Sequence, residues 1–267
     1  MALDSSTRNA ETSAIVTGGG QGVGFAIAEQ LAAEGCRKLA LIGRTPEKLE
    51  NAAAGLQAMG ATVVTIAADV SDAAACERAV REAIARLGHV NALVNAAATS
   101  ARGSLVETTP ELFDTIFASN VRGPFFLMQG LVRHLLEVGR PGSIVNILSM
   151  SGHGGQDFLT AYSTSKGAMN TLTRNVAMAY RKQHIRCNAI LPGWMDTPGE
   201  DAVQKKWHGA SDDWLQEAEA SQPFGQLVKP AQLAVFAAYM LSPQSGVMTG
   251  ALVDYDQNVI GAALEQD

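Results

Sequence analysis

Cysteine is scarce in this sequence, and its placement excludes two common structural roles. Only Cys36, Cys76 and Cys187 occur among the 267 residues, and they stand far apart. Metal-binding cysteines come in closely spaced pairs, and an odd number leaves one thiol outside any disulfide pairing. We therefore expect reduced core thiols in a cytoplasmic protein that binds no metal.

Charged residues are also few, and no basic cluster is present. They make up 17% of the chain, and the formal net charge is −6; average globular proteins contain roughly 25% charged residues. Proteins that bind nucleic acids usually carry a basic patch, so this class of partner is excluded. Hydrophobic residues at 47% predict a large core rather than disorder.

Long apolar runs are absent as well. No segment approaches the roughly 20 apolar residues that a transmembrane helix needs. The first residues, MALDSSTRNAETS, lack the apolar stretch of a secretory signal. We expect no membrane association.

Short apolar runs alternate with longer amphipathic segments along the chain. The runs predict strands at 13–18, 38–43, 61–70, 91–96, 142–148, 185–191 and 250–255. The segments between them predict helices, including one over 109–138 with a break at Gly123-Pro124 and one over 161–183. Because the strands are continuously apolar, helices should cover both faces of a parallel sheet. The predicted fold is a single doubly wound, Rossmann-type α/β domain over 1–267, with a seven-stranded sheet.

A glycine-rich turn, TGGGQGVG, follows the first predicted strand at 17–24. Glycine permits a tight turn and a close approach of phosphates to backbone N–H groups. The following helix offers its N-terminus to a pyrophosphate. The alternative is a merely flexible turn. The predicted cofactor contacts here are Thr17, Gly18, Gly20, Gln21, Gly22, Val23 and Gly24.

The ends of the next strands add further candidate cofactor contacts. The second strand ends at Gly43-Arg44-Thr45, which offers a guanidinium and no carboxylate. Dinucleotide folds place an acid there for a free ribose 2′-OH and an arginine for a 2′-phosphate, so NADP(H) is preferred over NAD(H). A solvated loop arginine is the alternative. Candidates after the third and fourth strands, for the adenine and for close approach of the cofactor, are Asp69, Val70, Asn95, Ala96 and Ala97.

Tyr162 and Lys166 stand four residues apart, on one face of a predicted helix. A nearby cation favours the ionised form of a phenol, although the pair alone is also compatible with an ordinary helix face. Taken with the other motifs, the chain resembles the short-chain dehydrogenase/reductase family over essentially its whole length. The matching segments are TGGGQGVG at 17–24, DV at 69–70, LVNAAA at 93–98, SN at 119–120, LSMSG at 148–152, YSTSK at 162–166 and NAILPGWMDTP at 188–198.

The resemblance implies a catalytic set of Asn120, Ser149, Tyr162 and Lys166. The tyrosine would exchange a proton with the substrate oxygen, and the serine would hold that oxygen. The lysine would favour the phenolate and hold the nicotinamide ribose, and the asparagine would position a water. Ser149 stands thirteen residues before Tyr162, the family's usual spacing, and Ser151 is its competitor.

The resemblance also implies contacts beyond the sixth strand. Pro192-Gly193 would pass the nicotinamide, Thr197 would meet its amide or a phosphate, and 194–225 would form a substrate lid. Candidate substrate contacts, besides Ser149 and Tyr162, are His153, Gln156, Trp194 and Trp207. The alternatives are that the tryptophans only pack the lid and that His153 is structural.

Two segments depart from the family pattern. Asn95-Ala96-Ala97-Ala98 stands where members show Asn-Asn-Ala-Gly, and Tyr255-Asp256 replaces two glycines. The first change alters the packing around the cofactor, and the second reshapes the tail.

These observations predict an NADP(H)-preferring oxidoreductase that interconverts an alcohol and a carbonyl. Its substrate would be a small or medium polar molecule, such as a sugar, a polyol or a ring ketone. One alternative is a 3-oxoacyl thioester reductase, with Lys205-Lys206 as the candidate basic patch for a carrier protein. A non-catalytic NADP(H)-binding sensor or scaffold is an alternative of another class. We expect a homotetramer or a dimer, formed through the helices at 109–138 and 161–183.

Overall fold

A parallel sheet forms the centre of the protein, as the computed structural model shows for residues 5–261, the part of the chain it describes. Within that range seven strands follow the order β3-β2-β1-β4-β5-β6-β7, and every neighbouring pair is parallel. The strands are β1 (Ser13–Thr17), β2 (Lys38–Gly43), β3 (Thr62–Ala67), β4 (Ala92–Asn95), β5 (Gly142–Ile147), β6 (Ile185–Pro192) and β7 (Leu252–Tyr255). The predicted doubly wound fold is confirmed.

Helices cover both faces of the sheet. They are α1 (Gly22–Ala33), α2 (Pro46–Ala58), α3 (Ala73–Leu87), α4 (Pro110–Phe117), α5 (Gly123–Val138), α6 (Thr160–Tyr180), α7 (Pro198–His208), α8 (Trp214–Ala220) and α9 (Pro230–Leu241). Successive strand residues point to opposite faces. Val16 packs with α1, α2 and α9, whereas Ile15 packs with α3, α5 and α6. Both layers of the core are therefore buried, which explains the continuously apolar strands.

The expected break near Gly123-Pro124 is a change of helix type and not an end of the helix. The chain passes from α4 through a π-helical turn, Ala118–Arg122, directly into α5. Proline cannot donate the backbone hydrogen bond that an α-helix requires, and the wider turn ahead of it accommodates that loss. A Cβ atom on Gly123 would lie 2.2 Å from the carbonyl oxygen of Val70, so only glycine permits this approach of α5 to the end of β3.

The segment 194–225 packs as two short helices against the domain. Trp214, at the start of α8, is buried and stacks on Trp194 with 6.1 Å between ring centroids. Lys229 ties this segment down through ion pairs with Asp196 and Glu219. Trp194 and Trp214 therefore help to pack this segment.

The three cysteines lie unpaired in the core. Burial raises the pKa of Cys36 and of Cys76 to about 11 each and that of Cys187 to about 12. The thiols therefore stay protonated and act as small apolar groups. No helix within residues 5–261 combines the length and the hydropathy that crossing a bilayer requires.

Candidate active site

A cavity of about 810 Å³ opens beyond the carboxyl ends of β4, β5 and β6. The sheet order reverses between β1 and β4, and ligands of doubly wound folds bind at this reversal point. The cavity wall includes Val23, Ala96, Ser149, Gln156, Tyr162, Lys166, Pro192, Gly193, Trp194 and Thr197, all of them candidates from the sequence.

The glycine-rich turn fits an anionic group. Gly18 has a φ of +67°, and a Cβ there would lie 3.2 Å from the backbone nitrogen of Ala97, so a larger side chain would strain the turn. The residue that precedes α1, Gln21, makes no side-chain hydrogen bond to the helix. The first N–H groups of α1 therefore remain available to a phosphate.

The altered Asn95-Ala96-Ala97-Ala98 segment keeps a close connection to β1. The Thr17 hydroxyl accepts hydrogen bonds from the backbone N–H groups of Ala96 and Ala97, at 3.0 and 3.1 Å. The Asn95 amide is buried and donates to Asn146 at 2.8 Å. Asn95 therefore braces the strand ends with its side chain, and Ala96 and Ala98 form the cavity wall.

Two cations lie beside the glycine-rich turn. Arg44 is exposed just after β2, and the Lys48 ammonium donates to the side-chain oxygen of Gln21 at 2.5 Å. The sequence did not lead us to Lys48, although its position in the first turn of α2, close after Arg44, could have indicated a second cation at the cofactor site. The Asp69 carboxylate accepts from the Ser71 N–H, and this hydrogen bond, with a smaller effect of the Arg44 charge, lowers the pKa of Asp69. Arg44, Lys48 and Asp69 thus share one end of the site.

The remaining cofactor candidates occupy the expected strand ends and the start of the lid. Val70 is buried against α5 beyond β3. Thr197 lies on the cavity wall and caps α7, since its hydroxyl accepts from the Glu200 N–H at 3.0 Å. Its own hydroxyl hydrogen remains available to a ligand.

Ser149, Tyr162 and Lys166 meet on the cavity floor. The Lys166 ammonium lies 5.5 Å from the centroid of the Tyr162 ring and donates to the Ile147 carbonyl at 3.1 Å. The Ser149 hydroxyl accepts from the Ser151 N–H at 3.1 Å and its interaction with the Tyr162 phenol lowers the pKa of that phenol, whereas the Ser151 hydroxyl donates to Gln156 at 2.5 Å. The sheet end and one face of α6 bring the three groups together.

Burial governs the acidity of both ionisable groups. It raises the pKa of Tyr162, and the Ser149 hydrogen bond and the charge of Arg102 act in the opposite direction. Burial lowers the pKa of Lys166 from 10.5 to about 8. The lysine is therefore still predominantly a cation at pH 7, and it lies beside a phenol that is protonated.

Asn120 lies in the π-helical turn and is buried. Its amide oxygen accepts from the Thr99 N–H at 2.9 Å, and its nitrogen donates to the Thr99 carbonyl at 2.9 Å and to Ser165 at 3.1 Å. These contacts fix the loop after β4 to α6. Positioning of a water by Asn120 stays a prediction.

Two of the candidate substrate contacts lie away from the cavity wall. His153 pairs with Asp254, with 2.8 Å between the imidazole and the carboxylate. Trp207 is on the outer side of α7, where the Lys206 ammonium lies 5.0 Å from its ring centroid. Neither residue is among those that line the cavity, and their roles as substrate contacts stay predictions.

The cavity wall also contains charged and aromatic groups that sequence reasoning missed. They are Arg102, Phe158, Glu200 and Asp256. Asp256 belongs to the altered Tyr255-Asp256 segment, and Tyr255 stacks on Phe236 with 6.2 Å between centroids. One weak signal existed, since Arg102 is the only charged residue of the stretch 96–106.

Comparisons with known proteins identify the family. A family model described as enoyl-(acyl carrier protein) reductase matches residues 18–257. The chain belongs to the short-chain dehydrogenase/reductase family. Sorbitol dehydrogenase of Cereibacter sphaeroides is 31% identical over 247 residues, which cover 91% of this chain and 95% of that protein. Galactitol 2-dehydrogenase (L-tagatose-forming) of the same organism is 35% identical over 246 residues, covering 91% and 92%.

The solved structures support the same assignment. A short-chain dehydrogenase from Burkholderia cenocepacia in complex with NADP superposes with a TM-score of 0.82. It is 28% identical and covers 93% of this chain and 98% of that one. The chain is therefore an NAD(P)-dependent oxidoreductase of the short-chain family that acts on CH–OH groups. In the part of the chain that the structure describes, no group of three or more His, Cys, Asp or Glu residues could hold a metal.

Proposed function

We propose that this short-chain dehydrogenase/reductase interconverts an alcohol and a carbonyl on a small or medium polar substrate, with Tyr162 as the general acid and base. The substrate class is a polyol, a sugar or a ring ketone. One observation carries the proposal: the Tyr162 and Ser149 hydroxyls and the Lys166 ammonium converge on the floor of one cavity. A protein that only sensed NADP(H) would not need this convergence.

The side chains divide the chemistry between them. When bound, the nicotinamide would exchange a hydride with the substrate carbon. The Ser149 hydroxyl holds the substrate oxygen, and the Tyr162 phenol gives that oxygen a proton during reduction or takes it during oxidation. Negative charge builds on this oxygen in the transition state, and the nearby Lys166 cation stabilises it and the phenolate.

Residues near the glycine-rich turn support NADP(H) as the preferred cofactor. Arg44 supplies the guanidinium, and Lys48 supplies a second cation in contact with Gln21. A 2′-phosphate carries negative charge that a free ribose lacks, so both cations favour NADP(H). The dehydrogenase from Burkholderia cenocepacia was solved with NADP.

The alternative of a 3-oxoacyl thioester reductase has less support. Its candidate docking patch was Lys205-Lys206, but the Lys205 ammonium lies 3.2 Å from an Asp201 oxygen and 3.0 Å from an Asp212 oxygen. Two carboxylates beside one ammonium cancel the positive charge that an acidic carrier protein would need. The sorbitol and galactitol dehydrogenase relatives favour polyols.

Assembly into a homotetramer or a dimer is part of the proposal. Apolar side chains remain exposed on the long helices, namely Phe113 on α4, Phe125 on α5 and Met178 on α6. A second copy of the chain would bury this surface.

A substrate panel tests the proposed function. Sorbitol, galactitol, sugars, ring ketones and a 3-oxoacyl thioester are each assayed by NADPH or NADH absorbance, in both directions. We expect turnover of at least one polyol or ring ketone, faster with NADP(H). Turnover of the thioester alone would replace the proposal with the alternative, and binding of NADPH without any turnover would support a sensor.

A further inference from the structure

An ion pair crosses the cavity from the domain to the lid. Arg102 lies in the loop between β4 and α4, and Glu200 lies in the first turn of α7. The closest nitrogen and oxygen atoms are 3.7 Å apart, and the two side chains are only 13% and 17% exposed. At this distance the two charges attract each other, but the atoms are too far apart for a direct hydrogen bond.

Neighbouring side chains hold both charged groups in place. The guanidinium lies over the Phe158 ring at 5.7 Å from its centroid and donates to the Ser100 carbonyl at 2.9 Å. The Glu200 oxygen nearest Arg102 accepts from Trp194 at 2.9 Å and from Gln204 at 2.7 Å. The pair is thus built into the wall rather than free to rotate.

Each partner keeps hydrogen-bonding capacity. All three Glu200 contacts involve the same carboxylate oxygen. No described residue donates a hydrogen bond to the second carboxylate oxygen of Glu200. The Arg102 nitrogen nearest Glu200 likewise makes no hydrogen bond within the described part of the chain. An unused acceptor therefore lies close to unused donors on the cavity wall. A hydroxyl group of a ligand can accept a hydrogen bond from Arg102 and donate one to Glu200 at the same time.

The charges of the cavity wall favour a neutral ligand. Among the described residues that line it, the ammonium and guanidinium of Lys166 and Arg102 are balanced by the carboxylates of Glu200 and Asp256. A substrate carboxylate at Arg102 would also approach the Glu200 carboxylate, and like charges repel. The charge of Arg102 lowers and that of Glu200 raises the pKa of Tyr162, so the pair lies within electrostatic reach of the reacting group.

We infer that Arg102 and Glu200 together bind a second hydroxyl group of a neutral polyhydroxylated substrate, on the part of the molecule remote from the reacting carbon. This inference rests on the proposed interconversion of an alcohol and a carbonyl. It adds that Arg102 and Glu200 determine which substrates are selected. Arg102 donates to the hydroxyl oxygen, and the hydroxyl donates to the free oxygen of Glu200. A mono-alcohol lacks the group that the pair binds.

The test compares a polyol with a mono-alcohol in matched variants. Wild type, Arg102→Met and Glu200→Gln are assayed on sorbitol or galactitol, whichever the wild type oxidises faster, and on cyclohexanol. Lys206→Met is the control, because it removes a cation from the same helix but outside the cavity wall. The readout is the ratio of kcat/KM for the polyol to that for cyclohexanol.

We expect each cavity variant to lower this ratio by roughly 10- to 100-fold, mainly through KM of the polyol, since hydrogen bonds to charged groups are lost. The control should keep the wild-type ratio. An unchanged ratio in the cavity variants, including an equal loss on both alcohols, would overturn the inference while leaving the proposed function intact. A gain of Glu200→Gln on lactate, assayed in parallel as a hydroxy acid, would point to a carboxylate at Arg102 and would also overturn it. Failure of the wild type on every alcohol and every carbonyl compound of the substrate panel would overturn the proposed function itself.

Discussion

Replacing the buried Lys166 by methionine should stabilise the cofactor-free protein relative to wild type near neutral pH. This difference in the free energy of unfolding should become smaller at high pH. Lys166 is 4% exposed, and its ammonium donates to the Ile147 carbonyl. Burial without a counter-charge lowers its pKa from 10.5 to about 8. Because one pKa unit corresponds to about 1.4 kcal/mol, the buried charge costs about 3 kcal/mol below pH 8.

The sign of the pH dependence follows from proton uptake. Between about pH 8 and about pH 10.5 the unfolded chain holds a proton on Lys166 that the folded protein has released. The free energy of unfolding of the wild type therefore rises with pH across this window. Lys166→Met has no such proton, so the stability difference between the two proteins should change by about 3 kcal/mol across the window.

Urea denaturation of both proteins at several pH values measures this difference. The protein concentration is held constant, since subunit association adds to apparent stability. Lys182→Met, at an exposed position after α6, controls for the loss of a lysine as such. Parallel stability curves for wild type and Lys166→Met between pH 7 and about pH 10.5 would refute the assignment of a destabilised buried cation.

Three further predictions concern the cofactor, acid stability and assembly. Arg44→Ala should raise the Kd of NADPH by roughly tenfold or more, and Lys48→Met by less, with little change for NADH; fluorescence titration would reject the phosphate clamp if both cofactors weakened equally. Burial, with the charges of neighbouring groups, lowers the pKa of His89 from 6.5, so the unfolded chain binds the proton first and stability falls as the pH drops below about 6.5. Urea midpoints of His89→Gln should lack that part of the decline, and an unaltered decline would contradict the assignment. Light scattering should report a tetramer or a dimer that Phe113→Glu weakens; a wild-type monomer at micromolar concentration would count against the interface.

The strands could be predicted because burial on both faces leaves a direct trace in the sequence. The three central residues of β1, Ala14-Ile15-Val16, are all apolar, since alternate residues pack into different core layers. The helix over 110–138 was harder. The rule that proline disrupts helices predicts a break at Pro124, but the π-helical turn before it and the contact of Gly123 with Val70 depend on tertiary packing.

The proximity of Tyr162 and Lys166 on the cavity floor could be predicted from their spacing, whereas the side of the cavity formed by α7 could not. Tyr162 and Lys166 share a helix face, so their proximity follows from local geometry. Arg102 and Glu200 meet only because α7 packs near the loop after β4. The same tertiary placement leaves Trp207 45% exposed and pairs His153 with Asp254. Residue type alone does not show which side of α7 faces the cavity.

The most direct test of the central claim is the kcat of Tyr162→Phe on the fastest substrate of the panel, measured together with NADPH binding. Phenylalanine keeps the ring against Lys166 but removes the hydroxyl that exchanges the proton. We predict a loss of at least about 100-fold in kcat, with the Kd of NADPH within about twofold of wild type, since that hydroxyl faces the substrate oxygen. A variant that binds NADPH normally and retains most of the wild-type kcat would contradict the assignment of Tyr162 as the general acid and base.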